Sequence, residues 1–426
     1  MLALLRQRNF SLLWFGQFIS IIGDWVLFIA LPFYTYSLTG SVLATGAMFM
    51  IATLPRLFFG SLAGTYVDRW DRKRTMIAAD LLRVVTTLIL LFVHSRERLW
   101  LIYVSAFLES IFSQFFFPAK SAIIPLLVGE KELLTANSLN GLSDALTRLL
   151  GSGLGGVLMG WLGFTSVVLL DAGSFLISAL LLLLIVMPLR PVPQPIEAQP
   201  STARGVLGLW RDWVAGLRLV KRERLLLILF FILGVALLGD SMITVLIVPL
   251  VKVLMGGGAQ LLGWLMMAQG VGGLMGGLLV GQIGNRISPR HLSALGLVVT
   301  GIVIFAIISI PRSILVLPIM LVGGIAAAAW FISSETLLQM GASDQFRGRI
   351  FGTFATTSAL ASLVGMGLAG MLTDLIGLVP ILSISGGLYV ASGILAWIML
   401  PKPEQAQPNR PATADQELSP YRAPAN

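Results

Sequence analysis

The chain has 426 residues, of which 56% are hydrophobic and only 12% are charged, and its formal net charge is +9. Soluble domains carry about 25% charged residues, and a single soluble core stops growing beyond roughly 250–300 residues. Lipid must therefore be the solvent for most of this chain, which excludes an ordinary soluble enzyme. The chain has no cysteine and two histidines, so it offers no disulfide, no thiolate metal site and no cysteine nucleophile, and we expect no cofactor.

Twelve apolar stretches are each long enough for a helix that crosses a bilayer, which takes roughly 17–25 residues. In chain order they lie at residues 11–36, 42–66, 75–94, 99–124, 137–161, 164–187, 225–250, 259–283, 290–310, 313–338, 349–375 and 378–400. We therefore predict an all-α membrane protein with twelve transmembrane helices in two pseudo-symmetric six-helix halves.

The polar stretches divide the predicted helices into segments. We predict an N-terminal half at residues 1–188 and a C-terminal half at residues 225–400. The linker between them, residues 189–224, begins Pro-rich and then alternates Leu, Trp and Val with Arg and Lys, which favours an amphipathic helix on the membrane surface. The tail at residues 401–426 is polar and Pro-rich, and we expect it to be disordered.

The lysines and arginines are distributed unevenly among the predicted loops. With the N-terminus placed in the cytoplasm, only Arg96, Arg98, Lys252 and Arg312 fall outside. Because cytoplasmic loops carry the excess of Lys and Arg, we predict a multi-pass protein of the cell's inner membrane with both termini in the cytoplasm. This topology accounts for the positive net charge, and we expect no nucleic-acid partner.

The two halves share short sequence repeats in the same order. "GDWVLFIALP" at 23–32 resembles "GDSMITVLIVP" at 239–249, and "GSGLGG" at 151–156 resembles "GMGLAG" at 365–370. Between these pairs, Gly64 with Asp68-Arg69 corresponds to Gly281 with Asn285-Arg286. Repeats of this kind are typical of secondary transporters, which place the substrate site between the halves at the middle of the bilayer.

The segment "GTYVDRWDRKRTM" at 64–76 resembles the loop signature of the major facilitator superfamily, Gly-x-x-x-Asp-Arg-x-Gly-Arg-Arg. Asp71 stands in place of the second Gly, and the residues on the pattern are Gly64, Asp68, Arg69, Arg72 and Lys73. The resemblance implies a conformational latch, formed by Gly64, Asp68, Arg69 and Arg72, that locks the cytoplasmic helix ends in the outward-facing state. The alternative is that the basic residues only anchor the loop in the cytoplasm.

A second motif resembles the branch of this superfamily that contains bacterial drug and siderophore exporters. "GSGLGG" at 151–156 is similar to their fifth-helix motif Gly-Pro-x-x-Gly-Gly, with Ser152 in place of Pro. The resemblance implies a helix-packing motif at Gly151, Gly155 and Gly156 that resists leakage.

Three carboxylic acids are predicted near the middle of the bilayer, where a charge costs at least about 2.5–3.5 kcal/mol and needs a partner or a function. Asp24 and Asp240 occupy matching places in the two halves. Either they line the cavity and meet a cationic substrate, or they cap a helix break beside the preceding glycine. Glu109 has no charged residue within helical reach on its own helix, so it is either a permanently neutral or paired carboxyl group or a proton carrier.

Two opposite-charge pairs share a helix face at spacings of three and four residues, Asp80 with Arg83 and Asp144 with Arg148. Each pair can be a staple of the fold. Arg148 also precedes the glycine-rich motif on a helix expected to face the cavity, where it could meet Glu109 on helix 4 and tune that carboxyl group.

The glycine-rich stretch at 270–284 has neither the Lys-Ser/Thr of a phosphate-binding loop nor a preceding strand, so no ATP site is predicted. Transport must then use an ion or substrate gradient. We predict a monomeric, proton-coupled exporter of small lipophilic or amphipathic compounds that works by alternating access. The alternatives are a lipid or lysolipid transporter and a membrane sensor or scaffold that transports nothing. A membrane enzyme is disfavoured, because no nucleophile–base set or metal set is visible.

Overall fold

The computed structural model describes residues 4–67, 69–187, 206–284, 286–310, 313–342 and 346–400. These ranges contain thirteen α-helices and no strand. The helices are α1 (Arg8–Thr39), α2 (Val42–Val67), α3 (Arg72–Ile89), α4 (Trp100–Leu127), α5 (Leu133–Trp161), α6 (Gly163–Leu183), α7 (Val206–Arg222), α8 (Arg224–Pro249), α9 (Ala259–Ile283), α10 (Pro289–Ser309), α11 (Ser313–Gly341), α12 (Arg347–Ile376) and α13 (Leu378–Met399). Each of the twelve predicted spans coincides with one long helix, so the predicted all-α membrane fold is confirmed.

Within the described residues, eleven helices are both long and apolar enough to cross a membrane. The remaining predicted span is α5, which has 29 residues but carries a polar N-terminal half. Its polar side chains there are Thr135, Asn137, Ser138, Asn140, Ser143, Asp144 and Thr147. One face of α5 packs against α1 and α9, whereas Asn137, Ser138 and Asp144 of the polar half are exposed.

The helix α7 lies between the two sets of six and has an apolar face that packs against α12. Trp213 Nε1 donates a hydrogen bond to Thr357 Oγ1 at 3.0 Å, and Val220 is buried in the C-terminal core. The opposite face exposes Arg211 and Arg218. The Pro-rich part of the linker before α7 lies outside the described residues, and so does the tail after residue 400, which is predicted to be disordered.

The two halves pack their helices in the same pattern. In the N-terminal half α1 contacts α5 and α6, α2 contacts α4, and α3 contacts α4 and α6. In the C-terminal half α8 contacts α12 and α13, α9 contacts α11, and α10 contacts α11 and α13. Each contact in one half therefore has its counterpart in the other.

The halves meet mainly through two symmetry-related contacts, α5 with α9 and α2 with α12. We call the end of the bundle with the α1–α2 turn the far end, and the end where α1 begins the terminus end. At the far end the backbones are close: a Cβ atom built on Gly156 would lie 2.6 Å from Gly263 Cα, and one on Gly46 would lie 3.1 Å from Met366 O.

At the terminus end the halves are separate. One hydrophobic core, containing residues such as Val26 and Val245, is shared by both halves at the far end. Two distinct cores lie toward the terminus end, one around Met76 in the N-terminal half and one around Leu226 in the C-terminal half. The space between the halves is therefore closed at the far end and opens at the terminus end.

Candidate functional site

A buried arginine at the centre of the N-terminal half joins four helices. The Arg83 Nη2 atom on α3 donates to Asp24 Oδ1 on α1 at 2.7 Å and to Glu109 Oε1 on α4 at 3.0 Å. The guanidinium carbon of Arg83 lies 3.9 Å from the ring centroid of Phe175 on α6. A single nitrogen thus bridges two carboxylates, and the aromatic ring covers the guanidinium group.

The carboxylates of this bridge are more accessible than the arginine. The side chain of Arg83 is 4% exposed, whereas those of Asp24 and Glu109 are 26% and 27% exposed. Helix α1, which carries Asp24, also contacts α8 and α9 of the other half. The bridge can therefore be reached by a proton or a ligand while its arginine stays buried.

Two further carboxyl groups lie beside the bridge, and both are fully buried. Neither carboxylate oxygen of Asp80 has a hydrogen-bond partner among the described residues, and the same is true of Asp171 Oδ1. Asp171 Oδ2 accepts a long hydrogen bond of 3.5 Å from Thr87 Oγ1. We call Asp24, Asp80, Arg83, Glu109 and Asp171 the Arg83 cluster, which holds four carboxyl groups and one guanidinium group.

The corresponding position of the C-terminal half has a different partner. Asp240 Oδ1 accepts a hydrogen bond of 2.7 Å from the Tyr389 hydroxyl group. Arg148, on α5, lies over the ring of Trp25 at 5.2 Å from the centroid and is within electrostatic range of Asp240 on α8. An opposite-charge pair therefore faces across the space between the halves without forming a direct ion pair.

The family model of the Major Facilitator Superfamily matches residues 13–256 and 229–424. The chain belongs to the Major Facilitator Superfamily. This confirms the resemblance carried by the loop signature. Because superfamily members are transporters, it also confirms that the chain is a membrane transporter and not an enzyme.

Several relatives within the superfamily match nearly the whole chain. The uncharacterized MFS-type transporter YfiS of Bacillus subtilis is 28% identical over 407 residues, covering 92% of this chain and 93% of the relative. The macrolide efflux protein A of Streptococcus pyogenes is 24% identical, and the match covers 91% of this chain and 95% of the relative. The multidrug efflux pump Tap of Mycolicibacterium fortuitum is 26% identical, and the match covers 88% of this chain and 91% of the relative.

Solved structures of superfamily transporters have the same fold. The nucleoside transporter NupG superimposes with a TM-score of 0.72 at 14% identity, covering 92% of this chain and 98% of that chain. A bacterial homologue of the iron transporter ferroportin in the inward-facing state superimposes with a TM-score of 0.70 at 16% identity, covering 92% of this chain and 98% of that chain.

The structure differs from three sequence-based interpretations of this superfamily member's charges. Glu109 meets Arg83 and not Arg148, because α4 packs extensively on α3 but hardly touches α5. Arg83 in turn makes its ion pairs with Asp24 and Glu109, so it is not simply a staple for Asp80 on its own helix. The alternative of a helix break also fails, because α1 and α8 run continuously past Asp24 and Asp240.

The predicted latch lies at the terminus end of the N-terminal half. A Cβ atom on Gly64 would have no atom within 4 Å, and Arg69 is exposed. Arg72 donates to the backbone oxygen of Ala122 on α4 at 3.3 Å. Asp68, the acidic member of the predicted latch, lies outside the described residues.

The predicted packing motif lies on two different contacts. A Cβ atom on Gly151 would lie 2.9 Å from Ile22 O, and one on Gly155 would lie 2.8 Å from Val26 O, both on α1. Gly156 instead faces Ala259 and Gly263 on α9, in the other half. Adjacent glycines thus allow close packing within a half and between halves.

Proposed function

We propose that this transporter is a proton-coupled exporter of small lipophilic or amphipathic compounds and works by alternating access. The observation that carries the proposal is the bridge from Arg83 to Asp24 and Glu109. A proton or a cationic group that binds either carboxylate competes with the guanidinium group for the same oxygens. Proton and substrate can therefore exclude one another at this site, which is the requirement for exchange.

The charge distribution supports an orientation. The basic linker helix α7 and the Arg69–Arg74 segment lie at the terminus end, and this excess of Lys and Arg supports a cytoplasmic location for that end. In this orientation both termini are cytoplasmic, and the structure is open to the cytoplasm and closed to the outside. Export would begin from this state, with the substrate entering between the halves.

The substrate class follows from the accessible groups. Two half-buried carboxylates favour a compound with a positive charge, and the Trp25 ring beside Asp24 offers an apolar surface. The names of the relatives, a macrolide efflux protein and a multidrug efflux pump, support export of compounds of this kind.

The latch and the packing motif belong to the same cycle. Gly64, Asp68, Arg69 and Arg72 would hold the terminus end closed in the outward-facing state. In the state described here the halves are apart at that end, so the latch would be released. Gly156 would instead help to close the far end, where a monomer must prevent leakage.

The test is the accumulation of ethidium and of a neutral dye in cells that lack their native exporters. We expect the intact protein to lower ethidium accumulation, a protonophore to abolish the effect, and Glu109→Gln to behave like an empty vector. Glu97→Gln makes the same chemical change at an exposed residue outside the bundle and should behave like the intact protein.

Two results would count against the proposal. Export that persists with Glu109→Gln and with the protonophore would exclude proton coupling through this bridge. A protein that reaches the membrane intact and changes neither dye would favour transport of lipid or of a dedicated metabolite.

A further inference from the structure

We propose that Asp80 is the second partner of Arg83, which takes the guanidinium group when Asp24 and Glu109 are occupied by a proton or a cationic substrate. Asp80 would be a positioning residue, since it acts through Arg83 and does not touch the substrate. The inference rests on the proposed function and adds a two-position switch to it.

The first observation is the unused bonding capacity of Asp80. Its side chain is 0% exposed, and neither carboxylate oxygen has a partner among the described residues. Ser178 on α6 lies near Asp80, and its hydroxyl group, which accepts a hydrogen bond from Gln17 Nε2 at 3.2 Å, has one O–H and can donate to only one of the two carboxylate oxygens. Because buried polar groups are nearly always hydrogen-bonded, such a carboxyl group calls for a partner in another state.

The second observation is the reach of Arg83. Residues three apart are neighbours on a helix surface, and long helical side chains lean toward the preceding turn. Asp80 occupies that turn of α3. The Arg83 Nε atom is itself buried without a partner, so a change of rotamer can satisfy Arg83 and Asp80 together without moving the helix.

The surrounding charges identify Asp80 as the preferred alternative. Arg83 faces Asp24 from α1 and Glu109 from α4, and Asp171 approaches from α6. Asp171 already accepts a hydrogen bond from Thr87, whereas Asp80 lies one helical turn from the arginine on the same helix. The cation Lys120 on α4 is within electrostatic range of Asp24.

The switch has a consequence for transport. If a proton or a cationic substrate removed both current partners, a buried guanidinium group would be left without an anion, which is strongly unfavourable. With Asp80 available, the arginine keeps a partner in both states. Loading of the site then costs less free energy, because the ion pairs that Arg83 loses are replaced by one with Asp80. The position of the guanidinium group differs between the loaded and the unloaded site.

The direct test is a structure of the double variant Asp24→Asn, Glu109→Gln, whose neutral side chains imitate the loaded site. We expect the Arg83 guanidinium group to form an ion pair with Asp80. A guanidinium group that stays beside residues 24 and 109, or turns to Asp171, would overturn the switch. This result does not depend on any transport activity.

A second test uses the absence of native cysteine. Spin labels on Gly141→Cys and Gly281→Cys, two positions where a side chain meets no atom within 4 Å, report the separation of the halves at the terminus end. We expect this separation to change with pH in purified protein reconstituted into liposomes. The control is Asp171→Asn, which removes another buried carboxyl group of the cluster.

Asp80→Asn should move the midpoint of this pH-dependent change to lower pH by at least about one unit, a tenfold loss of proton affinity. The midpoint moves to lower pH because Arg83 has no carboxylate at residue 80 to pair with when the site is protonated, which makes the protonated site less stable. Asp171→Asn should move the midpoint much less, and Asp80→Glu should restore it. Equal shifts for both Asn variants would indicate general electrostatics and overturn the switch. A wild-type protein without any pH response would instead refute the proposed proton coupling.

Discussion

Gly155 and Gly156 are adjacent on α5 but face different partners, and this predicts different effects for the same substitution. A Cβ atom on Gly156 would lie 2.6 Å from both Ala259 O and Gly263 Cα in the other half. A Cβ atom on Gly155 would lie 2.8 Å from Val26 O in its own half. Gly156→Ala should therefore open the far end, whereas Gly155→Ala should destabilise the half without favouring either state.

The magnitude follows from the kind of atoms that clash. Overpacking against backbone that cannot rotate away costs about 1–3 kcal/mol. The helix-propensity gain of Gly→Ala, about 1 kcal/mol, is present in both conformational states and cancels from their equilibrium. Gly156→Ala should therefore shift the population toward the state that is closed at the terminus end by about 5–150-fold.

The assay is the distance between spin labels at residues 141 and 281. We expect the distance to shorten in Gly156→Ala and to stay unchanged in Gly155→Ala, which should instead lower the thermal unfolding midpoint. Gly387→Ala is a control at an open position on α13 and should change neither quantity. An unchanged label distance in well-folded Gly156→Ala would refute the argument that this contact closes the far end.

Three further predictions concern side-chain contacts. Arg83→Met should destabilise the protein by about 3 kcal/mol. This is the lower end for a broken buried ion pair, because the carboxylates of Asp24 and Glu109 are about one quarter exposed. Adding Asp24→Asn and Glu109→Gln should recover most of the thermal unfolding midpoint. Trp213→Phe removes the hydrogen bond to Thr357, worth about 0.5–1.5 kcal/mol, and should accelerate hydrogen exchange in α7 while leaving α10 unchanged. Lys252→Met removes a 2.8 Å hydrogen bond to Ser37 and the approach to the Phe33 ring at the far end. The labels should then report a shift toward the open far end of up to about fivefold, and no shift would show that Lys252 does not hold that end closed.

The helices were predictable because lipid imposes a strong constraint on sequence. A backbone in hydrocarbon must satisfy its own hydrogen bonds, so each apolar stretch of sufficient length forms a helix. Even α5 was found, since its predicted span at 137–161 lies within Leu133–Trp161. Its low hydropathy comes from the polar residues of its N-terminal half, among them the exposed Asn137, Ser138 and Asp144.

The ion pairs were not predictable, because they depend on which helices are neighbours. Spacing along one helix suggested that Arg83 serves Asp80, but the side chain instead reaches α1 and α4. Arg148 and Glu109 lie on consecutive helices that hardly touch. The sequence does contain one indication of this arrangement. Acidic residues outnumber basic residues at bilayer depth, which indicates that one cation is shared by several carboxylates.

The two halves have the same fold, but their equivalent aspartates have different partners. Asp24 and Asp240 occupy equivalent places, yet the first meets a guanidinium group and the second meets a phenol hydroxyl group. In the proposed cycle, the carboxylates of the N-terminal site exchange the guanidinium group for a proton or a cationic ligand. The hydrogen bond from Tyr389 leaves Asp240 anchored within its own half, where it faces Arg148 across the gap. In the proposed cycle, loading of the Arg83 cluster would change the charge that the N-terminal half presents to Asp240 opposite, and this would couple the ionic state of one half to the approach of the other.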